Sequence, residues 1–434
     1  MRITRIYGTT IRTSLALFLA ALAYTTAAAK APVIKLVRLA PTAGGVVVFE
    51  PQAPRTPGGP PTALLNLDIT IKNSELKSIE LKSIAYQFTY GNGTPQGGAL
   101  PAVIDFDPKK ALKGDESPFI PAGAERKVML PSAHGHRYPL PTAVTVELRF
   151  AGFTDPFVVN TGLGEYKNQS ATGSYRFPGR AEDLEPGEVW YEGGSHIFGA
   201  LHRPSDSQRH AYDLGVRRWD ANAKAWTKLR RPKWPNEVVD GKLNDHLLIY
   251  GRPVHAVAAG KVVRCWRDAE ENPVPGVKHP EVGKAIPNGG NGMWVDHGNG
   301  EFALYAHFQK NSVPPSLCPT NGDINSNNPT VKAGDFIGRA GNSGSSSGPH
   351  LHFHVQDGSP TTGQGVPALF HGIRTSTNTN SPDAGWVSVV KKSPPTGPVF
   401  IEPYKITDKI LTSMNGAGDG GGSAPPPRSN RARP

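Results

Sequence analysis

Between residues 62 and 150 the chain alternates. Leu65, Leu67, Ile69 and Ile71 are apolar where Asn66, Asp68, Thr70 and Lys72 are polar, and the pattern returns at Ile84, Tyr86, Phe88 and Tyr90 and again at Val144, Val146, Leu148 and Phe150. A period of two puts successive side chains on opposite faces of an extended strand, so each run reads as a strand with one buried face. Turn residues separate the runs, and 49 glycines and 42 prolines in 434 residues favour many short strands over helices. The expected fold class is mainly β. An immunoglobulin-like sandwich is expected over 30–161, a Gly/Ser/Pro-rich linker at 162–188, and an antiparallel β block over 189–395. A C-terminal extension, 396–434, ends in a basic tail that is nearly free of apolar residues and is expected to be disordered.

The first residues bear on compartment. Arg2, Arg5 and Arg12 precede the apolar run SLALFLAALAYTTAAA (14–29), which closes on small residues. This is the order of a cleaved signal peptide (1–29), and the run is short for a membrane-spanning helix. The mature protein is expected to be exported, periplasmic or secreted, with no stable membrane insertion after cleavage. The net charge of the full chain, +11, attracts polyanions such as an acidic wall polymer. No arginine-rich recognition helix or base-stacking motif is visible, so nucleic acid is not an expected partner. In an oxidising compartment Cys265 and Cys318, the only cysteines, are expected to pair.

Residues 341–355 read GNSGSSSGPHLHFHV. On a strand His350, His352 and His354 share one face, while Leu351, Phe353 and Val355 share the core-facing side. Imidazoles so close favour the neutral form, which is also the form that binds metal. Gly341, Gly344 and Gly348 are expected to leave a groove rim clear for an extended peptide. Upstream, NGMWVDHGNGEFALYAHF (291–308) reads as a hairpin, with His307 on the same strand face as Tyr305. GALHRPSDSQRHAYDLGV (199–216) supplies His202, His210 and Asp213. Two imidazoles and a carboxylate suit one Zn²⁺ ion and leave a fourth position open. A second H-x-H, His134 and His136, lies in the turn-like SAHGHRYPLP and reads as surface residues.

These pieces, with PVHAVAAGKVV (253–263) and VKAGDFIGRAGNSG (331–344), fall in the order seen in the lysostaphin/LytM-type zinc endopeptidases, which the chain resembles over roughly 190–375. The resemblance implies an antiparallel β peptidase domain acting on peptidoglycan or another extended peptide, and a monomer is expected. It also implies Asp213 and His352 as metal ligands, with His307 and His350 as the catalytic pair. The remaining ligand departs from the usual H-x3-D pattern. Arg209 stands four before Asp213, and His210, three before, turns to the opposite strand face. Some relatives draw the ligand from an HR pair in the preceding loop, which LHRPSDSQRHAYD resembles. His202 is therefore the expected ligand, with His210 the second choice. Two rival readings differ in class. A cupin-type barrel shares G-x5-H-x-H but would need a glutamate where Gln356 and Asp357 stand. A non-catalytic relative that binds wall polymer or regulates a hydrolase would be expected to have lost one of these site residues.

Overall fold

The computed structural model describes residues 31–404 except 44, 92–102, 107–116, 130–133, 171–172, 194–195, 197–205, 299 and 396. The segment expected to be a signal peptide, the terminal tail and His202 lie outside the described residues. The regular structure of the described residues is nearly all strand, as the alternation requires. No helix among the described residues is long and apolar enough to cross a membrane.

The N-terminal residues form two sheets. Ile34–Ala40, Asp68–Asn73 and Glu125–Met129 make a three-stranded antiparallel sheet. A nine-stranded sheet runs through Thr62–Leu65, Val46–Gln52, Phe157–Glu165, Ala143–Phe150 and Ile79–Thr89. Ile69 and Ile71 of the first sheet share an apolar cluster with Tyr86, Val144, Val146 and Leu148 of the second. The alternation placed those side chains, and burying each contributes roughly 1.5–3 kcal/mol.

The second unit is built on a 14-stranded sheet. Its centre orders Tyr212–Asp220, Leu351–Asp357, Glu301–Phe308, Asn291–Asp296 and Gly260–Trp266 side by side, all antiparallel. Leu351, Phe353 and Val355 enter the core with Leu214, Tyr305 and Val295. Cys265 and Cys318 form a disulfide with Cα atoms 5.7 Å apart, which ties the 312–321 loop to the sheet.

Several segments pack more closely than their composition suggests. Of the stretch expected to be a linker, residues 162–165 complete an N-terminal strand. Beyond it, Tyr166 and Tyr175 donate to the buried Glu301 carboxylate at 2.5 Å each, and Asn168 donates at 3.1 Å. Val399–Pro403, expected in the C-terminal extension, lies between Glu188–Glu192 and Phe370–Ser376 in the large sheet. His136 corrects its surface reading. It is 1% exposed on a strand paired with Thr62–Leu65, and its ring packs edge-on against Phe49 and Phe88. That pairing partner lies some 70 residues upstream, out of reach of a local pattern.

The two units meet along one strand. Val47 and Phe49 face the N-terminal core, whereas Val48 and Ala53 belong to the apolar cluster of the second unit. Arg209 is wholly buried there and pairs with the Asp68 carboxylate, and it also donates to the Asn66 carbonyl at 2.9 Å.

Candidate metal and catalytic site

Asp213 follows Tyr212 on a strand whose other face carries Tyr212 and Leu214 into the core, so its carboxylate emerges opposite them. Register places it directly across from His352. His352 Nδ1 lies 2.9 Å from Asp213 Oδ1, and His196 Nε2 lies 3.1 Å from Asp213 Oδ2. His196 is held from behind, since its backbone N–H donates to the Ala211 carbonyl at 3.3 Å. The ligand atoms of His196, Asp213 and His352 all fall within 4.8 Å of one another. Tetrahedral Zn²⁺ with bonds near 2.0 Å needs ligand-to-ligand edges of about 3.3 Å, so this spacing suits that ion.

A second triplet, His307, His350 and His352, meets the same distance limit. His307 reaches it by an irregularity that overturns its expected alignment with Tyr305. Ala306 is paired with His352 and Tyr305 with Phe353, so a regular strand would turn His307 towards the core beside Tyr305. Instead the register slips between Asn291 and Met293, leaving an extra residue on the His307 strand. His307 takes φ +67°, a left-handed conformation unusual for a non-glycine residue. Its ring then lies on the site face, 4.7 Å from that of His350 and 5.8 Å from that of His352. Such backbone strain costs about 1–3 kcal/mol and persists where the surroundings enforce it. Here the enforcement is specific: His307 Nδ1 sits 2.7 Å from the Ser343 carbonyl, and the Ser343 hydroxyl donates to Phe308 O at 2.7 Å.

His350 is fixed similarly, with Nδ1 2.8 Å from the Gly348 carbonyl and Nε2 3.4 Å from Asp213 Oδ1. Both rings therefore carry Nδ1–H against a backbone carbonyl and leave Nε2 without a proton when neutral. Burial, and after it the neighbouring His350 and His352, pushes His307 well below the usual imidazole range. Burial also lowers His352 against the pull of Asp213. For His350 burial acts downward too, but Asp213 and the Gly348 carbonyl outweigh it and raise the ring. Packing alone would raise the Asp213 carboxyl, yet His196, His350 and His352 together hold it well below the carboxylate range.

The Gly/Ser loop is shaped by its neighbours rather than by an open rim. A Cβ on Gly341 would lie 2.4 Å from Gln309 N, and one on Gly344 would lie 2.3 Å from Gly290 N. Those two glycines are there because backbone packs against them; only Gly348 leaves ordinary room. Asn272, 1% exposed, stitches this loop to 267–290 through bonds to the Gly344 and Ser346 carbonyls at 3.0 and 3.2 Å.

Asp213, His307, His350 and His352 thus converge. His210 does not: it is 2% exposed, with Nδ1 2.8 Å from Glu50 of the N-terminal unit. His210 lies in the turn before the strand begins at Tyr212, and the buried Glu50 carboxylate engages its ring there. The histidine actually found beside Asp213 is His196, which the sequence reading did not single out. The resemblance pointed to a loop histidine upstream of the strand, His202, which lies outside the described residues. Two stand there, and sequence order alone does not choose between them.

Residues 245–365 match the family model described as Peptidase family M23. The match takes in His307, His350 and His352 and begins after His196 and Asp213. Among solved structures, the lysostaphin catalytic domain from Staphylococcus simulans is 25% identical, over 28% of this chain and 78% of that one (TM-score 0.18). A putative peptidase M23 from Pseudomonas aeruginosa is 16% identical over 69% and 89% (TM-score 0.20). A zinc containing peptidase from Vibrio cholerae is 13% identical over 71% and 85% (TM-score 0.23). Scores this low carry no fold assignment. No curated protein matches the chain.

Proposed function

Starting from an M23 peptidase domain at residues 245–365, we propose that this chain is an exported zinc endopeptidase whose substrate is the cross-linking peptide of peptidoglycan. The observation that carries the reading is the convergence of His196, Asp213 and His352 on one point, with His307 and His350 facing it. Two imidazoles and a carboxylate fit one Zn²⁺ and leave a coordination position free. When bound, the ion supplies Lewis acidity, which brings water deprotonation near neutral pH and polarises a carbonyl.

The chain's own residues do the rest. His307, which burial keeps neutral, presents an unprotonated Nε2 from a ring 4.7 Å from that of His350, and it accepts the proton of the attacking water. The other, protonated, donates to the oxyanion of the tetrahedral intermediate and then to the leaving amine. Ser343 and Gly348 fix both rings by backbone carbonyls, so neither has to reorient. The disulfide fits an oxidising compartment. The test is mass spectrometry of fragments released from purified peptidoglycan by the zinc-loaded protein. Peptide-bond cleavage that is lost in His307→Ala, with zinc retained, is expected. A zinc-loaded wild type that releases no fragments would turn the reading to a non-catalytic wall-binding protein.

A further inference from the structure

The third histidine of the run, His354, has no part in the chemistry above, yet it is 1% exposed and lies directly behind His352. His352 Nε2 and His354 Nδ1 are 3.0 Å apart. His352 therefore touches the site with Nδ1 and His354 with Nε2. A neutral imidazole carries one proton, so two arrangements exist. If His354 donates from Nδ1, His352 must hold its proton on Nδ1, pointing at Asp213, and it then has no lone pair there for a metal. If His352 donates from Nε2, its Nδ1 lone pair is bare.

The next residue on that face decides between them. Gln356 Nε2 donates to the Ser359 carbonyl, which as a pure acceptor fixes which end of the amide faces it. Gln356 Oε1 is therefore the end left for His354. Gln356 is the neighbouring polar side chain that acts on His354, and Gln356 Oε1 and His354 Nε2 are each buried with no hydrogen-bond partner in place, an acceptor and a ring nitrogen left to answer one another. An acceptor at that position requires the His354 proton on Nε2, which makes Nδ1 an acceptor, which in turn draws the Nε2–H of His352.

We infer that His354, itself set by Gln356 and Ser359, is a positioning residue that holds His352 in the tautomer whose Nδ1 is free to take a metal ion. The inference rests on the metal reading of His196, Asp213 and His352. Outer partners of this kind typically change metal affinity by about 10–100-fold.

The experiment measures zinc dissociation constants of the full chain by chelator competition, together with the visible spectrum of the Co²⁺-loaded protein. His354→Ala is expected to weaken zinc about 10–100-fold and to alter the Co²⁺ bands, with the thermal midpoint of the metal-free protein monitored alongside. His354→Asn, whose amide oxygen accepts where Nδ1 does, is expected to restore affinity to within a few-fold. Gln356→Leu, which removes only the far acceptor, gives a loss between the two and covers the case of His354→Ala failing to fold. Unchanged affinity and spectrum in His354→Ala, or an Asn variant as weak as the Ala variant, would overturn the inference while leaving the site intact. A wild type that binds no zinc would overturn the site itself, and the inference with it.

Discussion

Gly292 sits across from the bulge that delivers His307, and replacing it with alanine probes that delivery without touching an imidazole. A Cβ at Gly292 would lie 2.0 Å from the Tyr305 carbonyl oxygen and 3.0 Å from Ala306 Cα. Real Cβ atoms essentially never come closer than 3.0 Å, so the Tyr305 carbonyl has to retreat by about 1 Å. The obstacle is backbone of the facing strand, and no flexible side chain can yield instead. Overpacking of this sort destabilises by about 1–3 kcal/mol. The retreat acts on the slip between Asn291 and Met293, and flattening it would swing His307 towards the core face. A displacement of about 1 Å in a catalytic group costs on the order of 10²-fold in rate. Asp213, His352 and His196 lie on other segments, so zinc stoichiometry should stay at wild type. The assay pairs peptidoglycan fragment release with zinc content and thermal unfolding. Full activity at an unchanged unfolding midpoint would refute the role given to the bulge, and so would loss of zinc together with activity.

Other outcomes follow from the same geometry. His196→Ala is expected to release zinc, whereas His210→Ala, which breaks the buried contact with Glu50, should keep it at lower stability; metal analysis of the two variants checks this. His371 is pushed down to about 4 by burial, Arg176 and Lys391. The folded state then resists a proton that the unfolded chain takes up near pH 6.5, so stability present above that pH is lost as it falls towards 4. The loss is at most about 3 kcal/mol, and denaturant titrations of His371→Gln should show a flatter acid limb. Opening the Cys265–Cys318 bridge frees a loop of sequence separation 53. The chain-entropy account puts the loss at about 4 kcal/mol, to be read from reduced and oxidised melts. Asp68→Ala leaves Arg209 without its carboxylate and is expected to destabilise by about 3–5 kcal/mol, visible as a shift in the urea midpoint.

Alternation made the strands legible and assigned Leu351, Phe353 and Val355 to the core and His352 to the other face. It misplaced His307, because a left-handed residue inside a strand breaks the parity on which the reading depends, and nothing in EFALYAHF marks the slip. His136 was hidden for another reason: its strand exists only by pairing with a segment far upstream, and SAHGHRYPLP reads locally as a turn. Composition made 162–188 look like a linker, although Tyr166, Asn168 and Tyr175 are anchors for one carboxylate, Glu301. His196 stands in a loop, where there is no period to read.

The buried pairing of Arg209 with Asp68, four residues before Asp213, has a consequence for how such a protein can be recombined. Half of that ion pair is encoded in each unit, and so is half of the Glu50–His210 contact. A fragment beginning at residue 189 would carry Arg209 and His210 into water and leave the approach to Asp213 without its clamp. The second half is therefore not a cassette that can be cut out and fused elsewhere. Exchange between genes at this junction would succeed only when the recipient already presents matching carboxylates, so the two halves are bound to be inherited together.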